Sequence, residues 1–258
     1  MRKSVVIDCL PETVHRYSSD WAVVAVDVIR ATTTAVTAAA SGRRCFPAPT
    51  VEAALSLARS LNHPLLAGES GGMMPAAFEM NNSPADLVLR TDLHRPLVLV
   101  STSGTKLIHH AATRRAVYVA CFRNCSALAD HLAEHHPHVA VIGAGRRDEF
   151  REEDQMCCAW IAARLMARGY QPGNQETQGL VNRWKNAPPN ACLMSRSIDY
   201  LLRTGQLKDL DFILSHIDDL RGVFAVEAGE VKMVQSEPAS SPSLAAGLAE
   251  SPAIAIQA

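Results

Sequence analysis

Apolar and polar positions fall in blocks along this chain. Trp21 to Val26 is an unbroken apolar run that stops at Asp27, and beyond Arg30 the segment Ala31-Thr32-Thr33-Thr34 opens an alanine-rich stretch. The pattern predicts a strand over 21–27 and a helix over 31–41, with threonines in the first turn, where hydroxyls can cap free N–H groups. The same block recurs. A strand over 64–67 leads into Gly68-Glu69-Ser70-Gly71-Gly72, and one over 96–100 into Ser101-Thr102-Ser103-Gly104-Thr105 and a helix over 106–113. A strand over 117–120 passes through Phe122-Arg123-Asn124 to a helix over 126–135. A strand over 139–142 passes through Gly143-Ala144-Gly145-Arg146 to a helix over 152–168. Strands apolar at every position are buried on both faces. The alternation therefore predicts an α/β fold, a three-layer sandwich with a largely parallel sheet and a ligand site at the carboxyl ends of the strands.

Residues 1–234 read as one α/β unit, or as two intertwined subdomains. Residues 235–258, rich in Pro, Ser and Ala, read as a flexible tail that buries too little surface to order itself. Residues 171–192 read as an irregular stretch around Trp184, either a surface excursion or a lid.

The 258-residue chain, 48% hydrophobic and 20% charged, is globular in balance. A net charge of −1 and 5% aromatic residues leave neither a basic footprint nor stacking platforms for nucleic acid. No 18-residue apolar run and no secretory h-region occur, so the expectation is a cytoplasmic protein without a membrane partner. Seven cysteines without a CxxC pair suit reduced thiols better than zinc or disulfides.

Candidate chemistry collects in the strand-to-helix loops. Asp27, Arg30 and the threonines place a carboxylate, a guanidinium and hydroxyls within one turn, a group able to hold a divalent metal beside a phosphate. Glu152-Glu153-Asp154 suit the helix macrodipole, yet face the same sheet edge, and carboxylates from two loops are what Mg²⁺ needs. Ser101 to Thr105 form an oxyanion cradle that lacks a P-loop lysine, and Gly143-Ala144-Gly145 lacks the third glycine of a dinucleotide fingerprint. A nucleotide-dependent transferase is thus unsupported. The run Glu134-His135-His136-Pro137-His138 sits at a helix end on the opposite side and reads as solvated.

Taken in order, the segments 27–34, 68–72, Asn82-Ser83-Pro84, 101–105, 122–124 and Phe150 to Asp154 resemble the motif series of the 2-phosphosulfolactate phosphatases, with Ser195 to Val234 resembling that family's ending. The resemblance implies a Mg²⁺-dependent hydrolase, a homodimer, converting 2-phospho-3-sulfolactate to 3-sulfolactate, a step of coenzyme M biosynthesis in some organisms. Departures occur at Ser70, Glu79, Asn81, Ser103 and Arg146-Arg147, where the family pattern differs, and these bear on the substrate more than on the reaction.

The roles follow. Asp27 is a metal ligand, with Glu153 or Asp154 contributing. Arg30, with Arg146 as a second candidate, neutralises phosphoryl oxygens, and as an exposed arginine it adds little to stability. Thr32, Thr33, Thr102, Ser103, Gly104 and Thr105 offer hydroxyls and amides, and Glu69, Asn82, Ser83 and Asn124 complete the substrate site. Metal-activated water is preferred to an aspartyl-phosphate. The alternative is a catalytically silent protein that binds small phosphorylated or sulfonated acids.

Overall fold

A computed structural model describes residues 2–145 and 149–234. Its ten strands are β1 (Ser4–Cys9), β2 (Ala22–Val26), β3 (Cys45–Ala48), β4 (Leu65–Gly68), β5 (Leu97–Val100), β6 (Ala116–Ala120), β7 (His138–Gly143), β8 (Gln171–Pro172), β9 (Val223–Glu227) and β10 (Glu230–Val234). The helices are α1 (Ala31–Ala40), α2 (Val51–Ala58), α3 (Pro84–Leu87), α4 (Gly104–Ala111), α5 (Cys125–His135), α6 (Glu152–Ala167), α7 (Gln175–Trp184), α8 (Arg196–Arg203) and α9 (Leu207–Ser215). Every strand and helix expected from the apolar blocks is present, within a few residues of its expected ends.

The strands form one sheet in the order β4-β5-β3-β10-β9-β6-β2-β7-β1-β8. Two parallel runs, β4-β5-β3 and β6-β2-β7-β1-β8, are joined by the antiparallel hairpin β9–β10. The joins are narrow: Val231 pairs with Cys45 and Ala225 with Tyr118. Arg44 adds a two-pronged bond to the buried Glu230, with both N–O distances 2.9 Å.

Alternation along β2 explains its unbroken apolar run. Val24 and Val26 pack on one face against α5 and α6, while Val23 and Ala25 pack on the other against α1 and α4. Tyr118 and Val119 of β6, and Val141 and Ile142 of β7, divide in the same way. Both faces are covered, which gives three layers.

Residues 171–192, expected to be irregular, instead hold β8 and α7. The Asn174 side chain caps α7 by accepting the Thr177 N–H at 2.8 Å, and Val181 and Trp184 bury the helix against the core. Local Gln, Asn and Gly content hid an amphipathic helix whose order comes from burial. The proposed tail, 235–258, lies outside the described residues. Among those described, no helix is long and apolar enough to cross a membrane.

Candidate active site

The loops that leave β2, β4, β5 and β7 at their carboxyl ends meet in one place. Asp27 ends β2, Glu69 follows β4, Thr102 and Ser103 follow β5, and Ala144 follows β7, all lining a cavity of about 360 Å³. Five ladder steps separate β5 from β2, roughly 24 Å in a flat sheet. Yet a Cβ added at Gly104, the first residue of α4, would overlap Asp27 Oδ2 and lie 2.7 Å from Ala31 Cβ. The sheet must curl to bring the two loops together, and only glycine permits that approach. Gly104→Ala is therefore expected to displace Asp27 and lower turnover on the order of a hundredfold, since ångström misplacement has that effect. An alanine variant with normal kcat would show that the Asp27 position is not critical.

The hydroxyls mostly hold loops. Thr32 donates to the Asp27 carbonyl at 2.7 Å and accepts the Asp27 N–H at 2.9 Å, and Thr33 donates to the Val28 carbonyl at 2.7 Å. Ser101 and Thr105 cap each other's backbone, with the Ser101 N–H 2.9 Å from Thr105 Oγ1 and the Thr105 N–H 3.0 Å from Ser101 Oγ. Thr102 and Ser103 reach the cavity, whereas Thr32, Thr33 and Thr105 are enclosed. Glu69 joins two loops, accepting from the Thr102 N–H at 2.6 Å, the Thr102 hydroxyl at 2.7 Å and the Gly72 N–H at 2.7 Å. Asn82 lines the cavity with its buried Oδ1 unbonded among the described residues, and Ser83 caps α3. Asn124 is not brought to the cavity: its amide bonds the backbone of Cys121 and Val119. Arg146 lies outside the described residues.

Negative charge is crowded here. The Asp27 carboxyl is pushed up to about 7, chiefly by burial and then by the charges of Glu69 and Glu153, against partial relief from the Ala31 N–H and Arg30. Asp154, whose Oδ1 accepts the Val28 N–H at 2.7 Å, is raised well above the carboxylate range by burial, then by Glu153 and Asp27. Glu153 is raised by burial too. Among the described residues no donor meets hydrogen-bond geometry at either of its oxygens, and the nearby Ser195 and Ser197 hydroxyls favour its charged form only in part.

Such a set fits a hard cation. Among the described residues, no three His, Cys, Asp or Glu side chains form a ready-made ligand group. Mg²⁺ does not require one, since one or two carboxylates suffice when water and phosphate oxygens complete its shell. Asp27 and Asp154 line the cavity and Glu153 stands behind them.

Positive charge faces this cluster. Arg30 lines the cavity yet is 4% exposed, its Nη1 2.5 Å from both Asp209 Oδ2 and Gln206 Oε1. The expected exposed arginine is thus a buried one. Asp209, fully buried in α9, also accepts the Ser83 hydroxyl at 2.6 Å and the Ala85 N–H at 3.1 Å. Sequence reasoning missed Asp209 and Gln206, along with Arg151, Arg196, Ser197, Tyr200 and Arg203, which also line the cavity. A detectable signal existed for α8, in the spacing of Arg196, Tyr200 and Arg203 against Ile198 and Leu201.

Fold and cavity together define an α/β protein that gathers arginines and buried carboxylates around one cavity at the strand ends. The model of the 2-phosphosulpholactate phosphatase family matches residues 8–228. A Deinococcus radiodurans protein named probable 2-phosphosulfolactate phosphatase is 34% identical over 211 residues, covering 80% of this chain and 86% of that protein. A Pseudothermotoga lettingae protein of the same name is 35% identical over 156 residues, covering 60% of this chain and 66% of that one. A Parasynechococcus marenigrum protein, again so named, is 28% identical over 238 residues, covering 89% and 95%. This chain belongs to the 2-phosphosulpholactate phosphatase family.

Proposed function

We propose that the protein is a Mg²⁺-dependent phosphatase acting on the phosphate monoester of a small anionic hydroxy acid, 2-phospho-3-sulfolactate foremost, to release 3-sulfolactate and phosphate. The observation that carries this reading is the shared cavity of Asp27, Asp154 and Arg30 beside the amino end of α4. The names of the relatives support the phosphatase class. The homodimer and the link to coenzyme M come from the family resemblance, and the cytoplasmic setting from the sequence pattern, which offers no secretory h-region.

In this reading Arg30, fixed by Asp209 and Gln206, pairs with phosphoryl oxygens, and the Thr102 and Ser103 hydroxyls with the first N–H groups of α4 complete the cradle. Asp27 and Asp154 would hold Mg²⁺, which when bound supplies charge neutralisation and an activated water. Water adds to phosphorus, the bond from phosphorus to the bridging oxygen breaks, and that oxygen leaves with the electron pair and takes up the proton that the water gives up. Positioning and charge account for most of phosphoryl-transfer catalysis, and this set supplies both kinds of group. The silent-binder alternative is the less favoured, because Asp27, Arg30 and Asp154 stand together in one cavity.

Phosphate release from para-nitrophenyl phosphate and 2-phospholactate tests the proposal. Turnover is expected with Mg²⁺, lost with EDTA and restored by added Mg²⁺. Full activity in metal-free buffer would overturn the metal assignment.

A further inference from the structure

We propose that α8 is the specificity element of this site, Arg196 and Arg203 binding the acidic groups that the substrate carries besides its phosphate. The inference rests on the phosphatase reading and extends it to the substrate class: small phosphorylated hydroxy acids with two further anionic groups.

Arg196, Ser197, Tyr200 and Arg203 all line the cavity. Their spacing of i, i+1, i+4 and i+7 is one helical face. Ile198 and Leu201, on the other face, are 1% and 0% exposed and anchor the helix in the core. The Tyr200 hydroxyl donates to the Gly72 carbonyl, which sets α8 against the glycine-rich loop. Seven residues apart, the two arginines stand roughly 10 Å apart along the axis, within reach of one small ligand by their long side chains.

Arg151 is tied to Glu149 at 3.1 Å, and the other three arginines of the cavity divide into two kinds. Arg30 is buried and pinned beside Asp27, suited to a phosphate held in one geometry. Arg196 and Arg203 are 78% and 70% exposed at the side chain, and among the described residues their ion pairs are with carboxylates near the surface, Glu149 at 3.2 Å and Asp199 at 2.8 Å. Exposed pairs of that kind contribute little, so an incoming carboxylate or sulfonate can displace either partner readily. A neutral leaving alcohol would leave both arginines unused.

The test uses Arg196→Gln, Arg203→Gln and the double variant, with melting temperature as the folding check. For the double variant, kcat/KM is expected to fall a few fold with para-nitrophenyl phosphate, about tenfold with 2-phospholactate and about a hundredfold with 2-phospho-3-sulfolactate, near one decade for each acidic group of the substrate left without its arginine. Calorimetric affinity for 3-sulfolactate should fall by about a decade or more, and affinity for inorganic phosphate by less. Equal losses on all three substrates, or unchanged 3-sulfolactate binding, would overturn the role of α8. Absent turnover of every substrate by the native protein would refute the phosphatase reading, while the calorimetric comparison would still decide on α8. A native protein that does not bind 3-sulfolactate refutes it.

Discussion

Asp27→Asn is expected to lower phosphate release by roughly a hundredfold or more, and to raise the melting temperature of the metal-free protein above pH 7. Asparagine keeps the size and the acceptor for the Ala31 N–H but removes a charge buried among Glu69, Glu153 and Asp154. The sign follows from proton binding. With the Asp27 carboxyl raised to about 7, the folded protein holds a proton that the unfolded chain has released, so stability falls as pH rises from the ordinary carboxylate range through 7. That loss is fully present above 7 and absent from the asparagine variant. Melting curves of both proteins from pH 5 to 8 check the point; a native curve that rises relative to the variant would contradict it. As a contrast, replacing His135, His136 and His138 by alanine should leave kcat within a few fold. That run lies where α5 ends and β7 begins, at the far end of the strand from Asp27.

Asp209→Ala is expected to destabilise the protein by about 3–5 kcal/mol, the usual effect of removing one partner from a buried ion pair. Arg30 would then be left buried without its carboxylate, and Ser83 and the Ala85 N–H would lose their acceptor in the same step. Inhibition by the product phosphate should weaken about tenfold as well, because Arg30 loses its fixed orientation. Denaturant unfolding measures the first effect and product inhibition the second. A variant as stable as the native protein would mean that the Arg30–Asp209 pair contributes nothing to the fold.

How far the chain could be read depended on the distance over which each residue acts. β2, β5, β6 and β7 were legible because apolar residues at every position have few alternatives to a strand covered on both faces. The strand-end placement of Asp27, Thr102 and Asp154 followed from that topology. The hairpin β9–β10 was hidden in a segment recognised only by resemblance, although Val223 to Val234 contains two short β-prone runs around Ala228-Gly229. Arg30 was read as exposed because its partner lies 179 positions away, and an aspartate in an ordinary amphipathic helix gives no local sign of such a bond. Thr32, Thr33 and Thr105 were offered to the ligand because a hydroxyl's partner is not written in the sequence. Here the nearest backbone groups claimed them first.

The proposed phosphate-releasing site is built on Asp27, Asp154 and Arg30. Its most direct test is steady-state phosphate release from 2-phospho-3-sulfolactate by the native protein and by Asp27→Asn, each with Mg²⁺ and with EDTA. Turnover by the native protein with Mg²⁺ alone, reduced roughly a hundredfold or more in the variant, is the predicted result. Native and variant proteins with equal rates, or rates indifferent to EDTA, would contradict it.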